Sequence, residues 1–252
     1  MIERTFHTPR ALELELSVPR GSIDVETVDG EETTVVLDGD DRDLAEARVE
    51  LVERAGTDVV VVEFRRRFGI EISIGGLGIG RGQMRLRVRC PHGAGATLKC
   101  VSADSSVRGN VASLSLNMVS GEATIDAQVA GDAAVKSISA DVHLGRVGGA
   151  LRANTVSGDL EAGDVDGPVE VRSVSGDVEI ASVREGEAKL QSVSGNIRVG
   201  IRGGSRLDVD ASSVSGDLRS ELELSDVPTT GEGPVVVLRG KTVSGDLRVV
   251  RA

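Results

Sequence analysis

From about residue 100 onward the chain alternates apolar and polar positions in short bursts, and the bursts recur. In Pro168-Val169-Glu170-Val171-Arg172 aliphatic side chains fall at alternate positions, and in Val174-Ser175-Gly176-Asp177-Val178-Glu179-Ile180 they do so again, with the parity shifted by one near Ser173. Period-two alternation marks a strand with one face in and one face out, and a parity slip predicts a corner between two strands. The tetrapeptide Val174–Asp177 has seven counterparts, which begin at Val101, Val119, Ile138, Val156, Val193, Val214 and Val243. Successive copies start 18, 19, 18, 18, 19, 21 and 29 residues apart. A second series, Val129, Val147, Val165, Val183 and Ile201, keeps the same beat, with Gly131, Gly149 and Gly167 two positions after its first three members.

A unit of about 18 residues holding two short strands cannot close a core alone, so it must stack on its neighbours. The expected fold is therefore all-β: a short two-sheet β-solenoid of about 18-residue coils, with equivalent residues about 4.8 Å apart. The motif valines and the Gly or Ala two positions on are expected to line the interior, with the acids outside. Only Ala103 and Ala140 replace that glycine. The long last period, residues 221–240, reads as a surface loop followed by a strand at 235–238, and the final repeat is expected to cap the stack.

The first hundred residues are β but less regular. Strands are predicted at residues 12–18, 22–27, 33–37, 47–52, 58–64 and 84–90, with a short helical turn near residues 43–47. Antiparallel hairpins there are expected to cover the open end of the solenoid, because an unpaired edge invites aggregation. This gives an N-terminal cap region at 1–95 and a repeat region at 96–252, forming one continuous elongated domain.

An N-terminal strand set, the segment Cys90-Pro91-His92-Gly93-Ala94, and reiterated Val-Ser-Gly-Asp units ending in Leu247-Arg248-Val249 follow one another in that order. In this the chain resembles the bacterial putative-adhesin family of β-strand-repeat domains, whose members are mostly of unknown function. The resemblance covers essentially the whole chain. It implies the fold far better than a function, since the shared motif is structural.

Composition narrows the function. There is no Trp or Tyr, and Phe6, Phe64 and Phe68 are the three phenylalanines. The repeat region therefore packs with aliphatic residues alone and offers no aromatic platform for sugar rings. A net charge of −11 opposes nucleic acid and anionic membranes as partners. No apolar run reaches the length of a membrane span, and the N-terminus lacks a secretory pattern, so a cytoplasmic location is expected. Cys90 and Cys100 read as two buried thiols, although neighbouring strands could bring them face to face.

The acidic column Asp104, Glu122, Asp141, Asp159, Asp177, Asn196, Asp217 and Asp246 carries two readings. Turn chemistry has each carboxylate accept hydrogen bonds from backbone N–H groups or Ser hydroxyls at the corner. A row of calcium sites has Asp141, Asp159 and Asp177 as its candidate ligands. The next outward column, Ser106, Thr124, His143, Glu161, Glu179, Arg198, Arg219 and Arg248, runs from acidic to basic. The three histidines are scattered, and Gly75–Gly82 lacks the Lys-Ser/Thr of a phosphate loop. No catalytic set, cofactor or small-molecule ligand is thus expected. The expected function is a non-enzymatic structural or interaction protein that presents a rigid ladder surface to protein partners or to its own copies. The contact-patch candidates are Phe64, Arg65, Arg66, Arg67, Phe68, Leu77 and Ile79. The alternatives are a carbohydrate-active or calcium-dependent β-helix enzyme and a cell-surface adhesin.

Overall fold

A computed structural model describes residues 1–64, 82–222 and 233–252. Of these residues, 76% are in strands and 3% in helix, which places the protein in the all-β class. Nineteen strands join edge to edge in one open sheet among the described residues.

The N-terminal elements are β1 (Ile2–His7), β2 (Leu12–Val28), β3 (Glu32–Asp38), α1 (Asp41–Glu46), β4 (Ala47–Arg54), β5 (Thr57–Phe64) and β6 (Met84–Pro91). Three long strands follow, β7 (Ala94–Arg108), β8 (Asn110–Val129) and β9 (Ala133–Val147). The chain then runs in strand pairs: β10 (Leu151–Ser157) and β11 (Leu160–Val165), β12 (Val169–Ser175) and β13 (Val178–Val183), β14 (Gly186–Ser194) and β15 (Ile197–Ile201). The last pairs are β16 (Arg206–Ser215) with β17 (Leu218–Ser220), and β18 (Val235–Ser244) with β19 (Leu247–Arg251).

Each repeat lies on the next in parallel register. Val171 pairs with Ala153 on one side and Leu190 on the other, and Ile180 pairs likewise with Ala162 and Val199. The motif segments are thus piled in register as rungs of one ladder. Their inward residues Val169, Val171, Val178 and Ile180 are at most 2% exposed.

The order of the rungs departs from the order of the chain at both ends. The eighth repeat, β18–β19, slots between β14–β15 and β16–β17. The seventh repeat, and not the eighth as expected, is therefore the terminal rung. Side-chain content explains the exchange. The eighth repeat turns Val236, Leu238, Leu247 and Val249 inward, each 2% exposed or less. The seventh pairs its half-buried Ser213 with Thr242 and its exposed Ser220 with Val249. Placing the more apolar rung between two neighbours removes more apolar surface from water, and a partly polar rung suits an end.

The N-terminal end repeats the device. β2 is a full rung that turns at Gly21, and it lies in parallel between β7 on one side and β5 with β6 on the other. Antiparallel pairing is confined to the outermost strands: β4 covers β5, β3 covers β6, and β1 covers β3. Residues 12–18 and 22–27 are thus one strand and not a hairpin. The predicted helical turn is α1, whose Leu44 is buried.

Candidate interaction surface

The motif corner is built from the sequence Ser-Val-Ser-Gly-Asp-Val. In the fifth copy Ser173 is 5% exposed and points inward, Val174 is 49% exposed and points outward, and Val178 is buried again. The parity slip therefore falls after Val174 and not near Ser173. The motif valines do not line the interior as expected. Val101, Val119, Ile138, Val156, Val174, Val193, Val243 and Val214, in spatial order, are 39–83% exposed. They are eight of the eleven exposed large hydrophobics among the described residues, so exposed aliphatic surface is concentrated in one column. Seven steps of about 4.8 Å make it a ridge of roughly 34 Å.

The glycine after the ridge is small for a reason other than interior crowding. Gly176 has φ +127°, a conformation side chains rarely adopt. A Cβ there would lie 2.3 Å from the carbonyl oxygen of Gly158 in the preceding rung. Ala103 and Ala140 are the two copies whose side chain does point inward, at 2% and 1% exposure.

The acidic column accepts backbone N–H groups at the corner as expected, but from the neighbouring rung rather than within its own turn. Asp159 N–H donates to Asp141 Oδ1 at 2.9 Å, Asp177 N–H to Asp159 Oδ1 at 2.8 Å, and Asn196 N–H to Asp177 Oδ1 at 2.7 Å. The series continues through Asp246 N–H to Asn196 Oδ1 and Asp217 N–H to Asp246 Oδ1. Each side-chain oxygen thus satisfies a backbone donor one rung along, which offsets the repulsion between stacked carboxylates. Among the described residues, no three His, Cys, Asp or Glu side chains are grouped to hold a metal ion, the candidates Asp141, Asp159 and Asp177 included.

On the other flank of the ridge, two residues before each valine, stand Lys99, Asn117, Lys136, Asn154, Arg172, Gln191, Lys241 and Ser212. The ladder register stacks them in that order. Although the chain is strongly acidic, this column holds no carboxylate. None of Lys99, Lys136 and Lys241 forms an ion pair among the described residues; Arg172 pairs with Glu170 at 2.7 Å. The ridge therefore separates a cationic and amide column from an acidic one. The sequence displays all three columns, but the facing of the valine shows only once the corner is placed.

The graded column beyond the acids is internally paired, with His143 Nδ1 at 3.0 Å from Glu161 and Arg198 at 2.6 Å from Glu179. At the opposite corner Asp166 lies between Arg146 at 2.8 Å and Arg202 at 2.7 Å. The hydrogen bond from Arg146 leads the effects that hold its carboxyl below the usual carboxylate range. The two cysteines are free and buried, on β6 and β7. Burial pushes the Cys90 thiol up to about 12, and burial likewise raises Cys100, against a 3.2 Å contact with the Ser105 hydroxyl. Both are held protonated and unreactive at neutral pH.

Of the contact-patch candidates, Phe64 is half-buried and packs against the core. Arg65, Arg66, Arg67, Phe68, Leu77 and Ile79 lie outside the described residues. No described helix is long and apolar enough to cross a membrane.

The model of the family described as Toastrack DUF4097 matches residues 10–250. No curated protein matches the chain. Among solved structures, a putative adhesin from Parabacteroides distasonis is similar at 14% identity and a TM-score of 0.45, over 98% of this chain and 96% of that one. A putative lipid binding protein from the same organism aligns over the same shares at 12% identity and 0.45. A putative adhesin from Bacteroides fragilis does so at 12% and 0.41.

Proposed function

Because the chain belongs to the Toastrack DUF4097 family over residues 10–250, we propose a function built on what its repeated architecture exposes. The protein is a non-enzymatic interaction module. Its two parallel ladders are the faces of a flattened β-solenoid with coils of about 18 residues, a stiff support that holds one ridge straight. The contact surface is that ridge, with its charged flanks.

The exposed aliphatic column carries this reading. Continuous apolar surface on a soluble protein marks contact sites, and each Å² covered returns about 25 cal/mol. Strand propensity favours valine, yet it does not single out this column. The outward column two residues earlier on the same strands is Lys, Asn, Arg, Gln and Ser, and the one before that opens with Thr97, Ser115, Ala134 and Arg152. A rigid ladder also limits the ordering cost of binding. On the acidic flank, Oδ1 of Asp141, Asp159 and Asp177 is engaged in holding rungs together, which suits a scaffold better than a catalytic centre.

The test is a double substitution on the ridge, Val156→Asp with Val174→Asp. Both positions are exposed, so the melting temperature is expected to stay within about a degree or two. Proteins retained by the wild-type chain from its native cell extract are expected to be lost by the variant. An unchanged retained set with an unchanged melting curve would contradict the assignment.

A further inference from the structure

We infer that the ridge binds the ridge of a second copy of this chain, with the two solenoids side by side, parallel, and related by a two-fold axis along the stacking direction. The inference rests on the reading of the ridge as the contact surface, and charge complementarity selects the occupant.

Across the ridge the outward columns run in the order cation and amide, valine, serine, carboxylate. Two kinds of two-fold axis lay one ridge on another. An axis running across the stack sets cation column on cation column and carboxylate on carboxylate. Carboxylates then meet carboxylates along most of the ridge and no lysine meets a carboxylate, which opposes association. An axis running along the stack exchanges left and right and leaves height unchanged. Each lysine then faces a carboxylate of the partner at its own level, Lys136 against Asp141 and Lys99 against Asp104, with the valines meeting between them. The surface is thus complementary to itself in one orientation.

The necessary groups are free. Among the described residues Lys99, Lys136 and Lys241 have no ion pair. Asp141 and Asp159 use Oδ1 for the neighbouring rung, and Oδ2 of each has no partner among the described residues. The overall charge of −11 repels two copies at a distance, but ions screen that repulsion over about 8 Å at physiological strength. Contact pairs and buried valine act inside that range. The equal spacing of rungs lets the same contact repeat along the ridge without distortion, so weak pairs add along one rigid line.

Sedimentation velocity on the full chain over a concentration series, together with single-cysteine crosslinking, tests this. The wild-type chain is expected to form a dimer. Val156→Asp and Lys136→Glu are each expected to weaken it about tenfold or more, with unchanged melting temperatures at concentrations where the wild type is monomeric. Val119→Cys is expected to crosslink to itself, and Val193→Cys to itself, because the parallel arrangement brings equal heights together. Crosslinking only in a mixture of Val119→Cys with Val243→Cys, which stand second from the two ends of the ridge, would show the opposite orientation and overturn the inference. A monomer at every concentration, or a dimer indifferent to Val156→Asp, would also overturn it. A monomeric wild type that still retains proteins lost on ridge substitution leaves the interaction reading standing. A monomer that retains none removes both.

Discussion

Two columns of valine run along the stack with one period and opposite fates. Val129, Val147, Val165, Val183 and Ile201 are no more than 2% exposed, whereas the motif valines are 39–83% exposed. The difference lies in how each corner turns. At the far corner the valine is the last inward residue of its strand. At the motif corner Ser173, at 5% exposure, is the last inward residue, and Val174 and Ser175 then face outward before Gly176 turns the chain. A repeat period reports that residues are equivalent. It does not report which way they face, because a corner can hold two outward positions in succession.

The largest effect expected from breaking this comparison is at the buried column. Val165→Asp places an unpaired carboxylate in an aliphatic interior and is expected to destabilise by about 4 kcal/mol or more, whereas Val156→Asp is expected to stay within about 0.5 kcal/mol. Denaturant titration of the two variants reads both. Gly176→Val comes next, at about 3 kcal/mol, since it combines an unfavourable φ with a clash against the Gly158 carbonyl. A neutral result would mean the corner backbone differs from the one described.

The polar groups of the two corners are expected to have smaller effects. Asp166→Asn at the far corner weakens the bridge between Arg146 and Arg202 and should cost about 1 kcal/mol at neutral pH. The folded carboxyl titrates lower than the unfolded one. Its stabilisation is therefore full above the usual carboxylate range and is lost as pH falls from that range through the lower pH at which the folded carboxyl titrates. The Asn variant should accordingly lose less stability between neutral and acid pH than the wild type. At the motif corner Asp159→Ala leaves the Asp177 N–H to water and should cost about 0.5–1 kcal/mol. Asp159→Asn should be nearly neutral, because Asn196 already plays the accepting part toward Asp246.

Much of this was legible in the sequence. The tetrapeptide copies gave the rungs, and the turn chemistry of Asp gave the carboxylate as a backbone acceptor, though its donor lies in the next rung and not in its own turn. Gly176 and its equivalents gave a steric restriction, though its cause is the neighbouring backbone rather than the interior. Two things were not legible. The facing of Val174 depends on where within four residues the parity slips, and one strand pattern fits either placement. The interchange of the seventh and eighth rungs depends on a comparison of whole rungs. Motifs as alike as Val214-Ser215-Gly216-Asp217 and Val243-Ser244-Gly245-Asp246 hide it, and only positions such as Ser220, in register with the buried Val249, decide it. At the N-terminus, alternation marked the strands but could not distinguish a hairpin from a single rung turning at Gly21.

The outward ridge can be measured most directly by the native labelling rates of single cysteines placed in the two valine columns. Cys90 and Cys100 are buried and give little background. At concentrations too low for self-association, cysteines at Val119, Val156 and Val193 are expected to react with a water-soluble thiol reagent at close to free-thiol rates, and those at Val147, Val165 and Val183 only on unfolding. Fast reaction in the second set with protection in the first would reverse the facing of the corner and remove the ridge.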